Sequence, residues 1–201
     1  MKQFRIQEVA QTATGLPPNV GLVFQSNEWG MQMALVDLDV ISSTKVIAAM
    51  SALKPKDIAD STARREAHIA RQNAQRAIEK AVIGGITASK EDVWRVNSAA
   101  ATKGYGPLLY RLAMQFATSR GSALSANPVV TSSAATSVWK RFENEPDVEV
   151  VNTEGQGVRR KAYKLEGDDY LSLAKRYDDL NLGFDNDLKY VVYNEVRGRA
   201  G

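Results

Sequence analysis

The stretch VWRVNSAAATKGYGPLLYRLAMQFATSRG, Val93 to Gly121, constrains the fold more than any other part of the chain. Val93, Trp94, Arg95 and Val96 are β-branched, aromatic or long side chains that suit a short strand. From Leu108, the apolar residues Leu108, Leu109, Leu112, Ala113, Phe116 and Ala117 recur at helical spacing, so one face of that segment is apolar. Gly121 stands where a left-handed helix cap is expected. Between strand and helix lie a lysine, two glycines and a proline. The unit is therefore strand, glycine turn, helix. A turn of this kind aims bare N–H groups and the positive end of a helix dipole at one spot, which suits an anion.

Mixed α/β elements surround it. FRIQEV alternates like a strand, GLPPN is a turn, and VGLVF is a second strand candidate. MQMALVDLDV follows as a third, with Ala34, Val36, Leu38 and Val40 on one face and Met31, Met33, Leu35, Asp37 and Asp39 on the other. A strand apolar on both faces belongs inside a covered sheet. Residues from about 56 to 83 read as one long helix, with Ala59, Ala63, Ala67, Ala70, Ala74, Ala77 and Ala81 forming a seam of small side chains flanked by Ile69 and Ile78. The seam is expected to pack inside the monomer; a homo-oligomer contact is the alternative. His68 beside it reads as polar surface. GGITASKED reads as a turn or hairpin. SALSANP gives a short strand ending at Pro128, and TSSAATSVWKRFENE a helix capped by Thr131 or Ser132. VEVVNTEGQGVRRKAYKL is a strand pair around a glycine turn, DDYLSLAKRYDDLNL a helix and LKYVVYNEV a last strand. The expected architecture is one domain over residues 1–201.

Several chemistries are excluded. The chain has no cysteine, which removes disulfides, thiol nucleophiles and cysteine-ligated zinc. His68 is the only histidine, so a histidine-rich metal site cannot form, and no metal is expected. No apolar run approaches the roughly 20 residues of a membrane span, and the N-terminal residues lack the apolar core of a signal peptide. The expected location is the cytoplasm. The formal charge of +3 is spread among interleaved acids, and only VRRKAYK approaches a basic, aromatic nucleic-acid patch.

The turn does not match a P-loop, because Lys103 precedes both glycines, nor a dinucleotide fingerprint, because Leu109 stands where the third glycine would be. VNSAAATKGYG, Val96 to Gly106, instead resembles the acyl-CoA-binding motif of the GNAT superfamily of N-acyltransferases. That pattern runs V-x-P-x-x-[RQ]-x-x-G-x-[GA] from the end of the fourth strand into the third helix. Val96, Gly104 and Gly106 match it, and Lys103 matches a common basic residue. Ser98 replaces the usual proline and Ala101 the usual Arg or Gln. Downstream, LSAN matches the family's short fifth strand, and Ala135 with Trp139 matches its A-x-x-x-Y helix with Trp for Tyr; Phe142 stands near the family's Gly-Phe. The similarity covers about residues 90 to 165. KGYGPLLY and the Val138-Trp139 helix look most like divergent GNAT-like proteins encoded by bacteriophages.

The resemblance implies a mixed, mostly antiparallel sheet with helices on both faces, splayed beside the turn at 102–106. It implies an N-acetyltransferase that binds acetyl-CoA between the fourth and fifth strands and passes the acyl group to an amine in a direct ternary-complex reaction. Val96, Ser98, Thr102, Lys103, Gly104, Tyr105, Gly106 and Asn127 are the implied CoA-binding residues, with N–H groups from Thr102 to Gly106 on the pyrophosphate and donors near Ser98 on the thioester carbonyl. Trp139 cannot replace the family's acidic tyrosine, since indole has no usable acidic proton. Glu28, Asp37, Asp39, Glu91 and Asp92 are candidates for a base, and none is singled out. The other reading is a catalytically silent GNAT-fold protein acting in phage assembly or in binding a host factor.

Overall fold

The structure, a computed structural model, describes residues 16–17, 19–40, 58–129, 131–155, 158–167, 174–175 and 177–178. Its elements are β1 (Val20–Ser26), β2 (Gly30–Asp37), α1 (Ser61–Ala81), β3 (Val82–Lys90), β4 (Trp94–Ala101), α2 (Gly106–Ser119), β5 (Leu124–Ser125), α3 (Ser133–Phe142), β6 (Val148–Gly155) and β7 (Val158–Leu165). The strands form one seven-stranded sheet in the order β1-β2-β3-β4-β5-β7-β6. Every neighbouring pair is antiparallel except β4 and β5. That exception follows from connectivity, because α2 carries the chain from the end of β4 back to the start of β5, and a crossover of that length returns a strand in the same direction. The protein is thus α+β with a mixed, mostly antiparallel sheet.

One sheet face carries the core. Phe24, Met31, Met33, Ile86, Trp94 and Val96 are buried against Leu109, Leu112, Ala113, Phe116 and Ala117 of α2. Each such large apolar side chain contributes about 1.5–3 kcal/mol through burial. Phe116 is the centre, with the rings of Phe24, Trp94 and Tyr177 at 5.0, 5.1 and 5.3 Å. Trp139 and Phe142 of α3 extend this core over Tyr163 of β7. The other face is also buried, and it holds a polar row in cross-strand register. There Gln25 Nε2 donates to Gln32 Oε1 at 2.5 Å, and the Thr87 and Ser98 hydroxyls lie 2.8 Å apart. Of the described helices, α2 and α3 pack on the core face.

Local signals set several boundaries as expected. Gly121 has φ +65° at the end of α2, and the Ser132 hydroxyl accepts from Ala135 N at the start of α3. Other expectations are corrected. β2 stops at Asp37, whose carboxylate accepts from Asp39 N at 2.9 Å and folds the chain into a turn; Val40 is 59% exposed. The long helix begins at Ser61, because Asp60 Oδ1 caps Ala63 N at 2.7 Å, and ends at Ala81, where Val82 turns extended. GGITASK is not a hairpin but the body of β3, and β4 continues through the small residues to Ala101. A Cβ on Gly84 would lie 2.9 Å from Ala101 Cβ, so glycine is what lets β3 pair with β4 there.

The alanine seam does not pack as a continuous interior stripe: among its described side chains Ala59, Ala63 and Ala70 are exposed, Ala67 and Ala77 half-buried and Ala81 buried, while Ile69 is 47% exposed. His68 is exposed and bonded to Gln72. FRIQEV, LKYVVYNEV, most of DDYLSLAKRYDDLNL and the side chains of Ala74 and Ile78 lie outside the described residues.

Candidate functional site

Two features of β4 leave backbone unpaired between its start and the glycine turn. The first is its short pairing with β5, limited to Trp94↔Leu124 and Arg95↔Ser125. Beyond Ser125 the chain turns away: Asn127 Oδ1 accepts from Val129 N at 3.0 Å, and Pro128 has no N–H to extend a ladder. From Val96 onward, the β5-facing side of β4 has no strand partner among the described residues. The second feature is a bulge. Thr87 pairs with Ser98 and Ala88 with Val96, so Asn97 is one residue more on β4 than β3 can match. A bulge leaves a residue out of the ladder and re-aims the backbone around it.

The turn itself is anchored at its start. Thr102 N and Oγ1 both donate to Ile83 O, at 2.8 and 3.1 Å, fastening the end of β4 to the start of β3. Tyr105 N donates to Thr102 O at 3.1 Å. Two of the five N–H groups expected to face a ligand are therefore already used, which corrects the expectation of a fan from Thr102 to Gly106. The N–H groups of Lys103, Gly104, Gly106 and Leu108 make no hydrogen bond among the described residues, and no side chain caps α2. Gly104 has φ +98°, a conformation that favours glycine, and both Gly104 and Gly106 face open space. Pro107 sits in the first turn of α2, where its missing N–H costs nothing.

The strand directions bring some of the named residues together and separate others. β2 and β4 run the same way and end together, so Asp37 and Asp39 share one end of the sheet with the 102–106 turn; Asn127 does not join them, because it follows Ser125, which is level with Arg95 near the start of β4. Glu28, Glu91 and Asp92 lie at the opposite end, and Glu91 is paired with Arg95 at 2.5 Å. Lys103 is exposed beside the turn, and Tyr105 packs half-buried on the core. The Val96 side chain is in the core, and the Ser98 hydroxyl is bonded to Thr87 on the other face. What these two offer the unpaired edge is backbone. Asn127 spends its side chain on the turn after β5, and its carbonyl accepts from Thr131 Oγ1.

Two phenols near Trp139 were not singled out by the sequence. Tyr163 stacks on Trp139 at 4.8 Å and donates its hydroxyl to Glu143 at 3.0 Å. Tyr110 meets Trp139 edge-on at 5.0 Å, and burial pushes its phenol pKa up. Its spacing of four from Gly106, one helical turn, was the available signal. Its hydroxyl makes no hydrogen bond among the described residues. Among those residues there is also no cluster of three or more metal-ligating side chains, and no helix is long and apolar enough to cross a membrane. Comparison with protein-family models, with curated proteins and with solved structures gives no significant match.

Proposed function

We propose that the protein is an acyl-CoA-dependent N-acyltransferase of GNAT type, transferring an acetyl group from acetyl-CoA to an amine. The observation that carries this reading is the parting of β4 from β5 beside a glycine turn whose N–H groups are unspent. The pyrophosphate would take the N–H groups of Lys103, Gly104 and Gly106 with the positive end of α2 behind them, and Lys103 would add a countercharge. The pantetheine arm would lie along the unpaired edge of β4. Its thioester would then reach the bulge at Asn97, where re-aimed backbone donors meet the charge that develops on the carbonyl oxygen.

The amine attacks the carbonyl directly, since the chain offers no cysteine to carry the acyl group. Tyr110 rather than Trp139 is the proton donor assigned to the leaving thiolate. A buried phenol held above its usual pKa stays protonated at neutral pH, and an acid must be protonated to act. A catalytically silent GNAT-like protein, in phage assembly or host-factor binding, is the second reading. It is favoured by Trp139, which is packed between Tyr110 and Tyr163 with no acidic proton to give.

Titration of CoA and acetyl-CoA into the protein, with melting curves, tests the reading, because a ligand that binds only the folded state raises the melting temperature. Binding of both, with release of free CoA from acetyl-CoA in the presence of an amine panel, is the expected result. Binding without amine-dependent release supports the silent protein. No binding removes the enzyme and puts the silent protein first.

A further inference from the structure

A cavity of about 360 Å³ opens at the end of the sheet away from the glycine turn, lined by the β1–β2 turn, Lys90, Trp94, Phe116, Arg120 and Asp178. β4 separates it from the glycine turn by roughly 25 Å, at about 3.3 Å per residue. Trp94 and Phe116 form its floor, edge to face at 5.1 Å. Arg120 lies over Phe116 at 5.3 Å and is neutralised by Asp178 at 2.5 Å. Lys90 is different. Its Nζ sits 5.8 Å over the Trp94 ring and, among the described residues, makes one hydrogen bond, to Ser122 Oγ at 2.7 Å. No carboxylate among the described residues is within ion-pair distance of it.

We propose that Lys90 is an acyl-accepting lysine, whose amine takes an acyl group from a thioester entering this cavity. The cavity is open to solvent and roomy enough for an acyl group and part of its carrier, and the Ser122 hydroxyl holds the amine at its wall. Desolvation lowers the Lys90 pKa, which enlarges the fraction present as free amine at neutral pH. The charged groups around it are Asp92 on the β3–β4 connection, which raises that pKa, Glu28 on the β1–β2 turn, and the paired Arg120 and Asp178. In the reaction the amine lone pair attacks the carbonyl carbon and a C–N bond forms. The C–S bond breaks, its electron pair leaves on the thiolate, and the amine proton passes to water. The product is a neutral amide, so the cation over Trp94 is lost. None of this requires CoA to bind at the glycine turn.

The test uses S-acetyl-N-acetylcysteamine, a thioester with no nucleotide, so it remains decisive even where the proposed function fails. The folded protein is treated between pH 6 and 10, and acetylation of each lysine is followed by peptide mass spectrometry. Lys90 is expected to react several-fold faster at neutral pH than Lys140, an exposed lysine on α3, and to level off at lower pH. Asp92→Asn, at an exposed site, should quicken Lys90 further by removing the charge that raises its pKa. A Lys90 rate no greater than that of Lys140, parallel pH profiles for the two, or an Asp92→Asn rate that is unchanged or slower would each overturn the proposal.

Discussion

Gly104 and Gly106 lie two residues apart in the same turn, yet substitution should affect them in different ways. At Gly104 the backbone has φ +98°, where a Cβ meets no neighbour but is strained by its own backbone. Left-handed backbone costs an L-residue roughly 1–2 kcal/mol. For a chain of this length each kcal/mol lowers the melting temperature by about 2–4 °C. Gly104→Ala should therefore melt about 2–8 °C below wild type. Gly106 carries no such strain and has nothing within 4 Å of a built Cβ, so Gly106→Ala should keep or slightly raise stability. A Cβ at either position enters open space, and under the proposed placement each stands at a turn whose N–H groups take the pyrophosphate. Losing one charge-assisted hydrogen bond removes about 1.5–3 kcal/mol, so CoA affinity should fall roughly tenfold or more in either variant. Lys103→Ala should cost less, because that lysine is exposed and screened. Calorimetric titration of CoA, with melting curves on the same samples, reads both quantities. Equal CoA affinity in wild type and Gly106→Ala would refute the placement of the ligand. An undiminished melting temperature in Gly104→Ala would refute the strained turn.

Four further outcomes are expected. Gly84→Ala should destabilise by about 1–3 kcal/mol through overpacking, because its Cβ would meet Ala101 Cβ at 2.9 Å; in urea unfolding, Ala101→Gly should recover part of the loss in the double variant. Phe116→Ala should cost about 3–5 kcal/mol, since it empties the centre of the aromatic cluster. Ala70→Leu, at an exposed position on α1, should change stability by no more than about 0.5 kcal/mol. Hydrogen bonds from Lys161 and Tyr163 hold the Glu143 carboxyl below its ordinary value of 4.5. Its contribution is therefore fully present above 4.5 and is lost below it, as pH falls through the lowered pKa of the folded state, so Glu143→Gln should flatten the acid limb of a stability–pH curve.

Much of what depends on neighbours within a few residues was legible in the sequence, although the Asp37 turn that ends β2 and the Asp60 cap that starts α1 were not read from it. The apolar stripe of α2, its end at Gly121, the Ser132 cap and the β6–β7 hairpin all rest on short-range geometry, and each stands where the residue pattern puts it. The strand–turn–helix unit around Gly104 belongs with them. β3 does not. Gly84, Gly85 and the alanines from Ala99 to Ala101 carry little strand preference of their own, and they become strand because their bareness lets two backbones pair closely. The seam on α1 shows the same limit, since periodicity identifies a face but not what meets it.

For the site, the local residue pattern was enough to place a glycine turn at the start of a helix and to name the residue types around it. Tertiary structure alone decided which N–H groups remain available, because Thr102 is tied to Ile83, a residue 19 positions earlier in the chain. It also decided that β4 and β5 part after two residue pairs, and that Asp37 and Asp39 share the turn's end of the sheet while Glu28 and Asp92 do not. Lys90 is the clearest case. Its surroundings come from the β1–β2 turn, β4, the end of α2 and Asp178. Hydrogen bonding, desolvation and charge act through a few ångströms of space whatever the sequence separation, so only the folded chain could bring those groups to one amine.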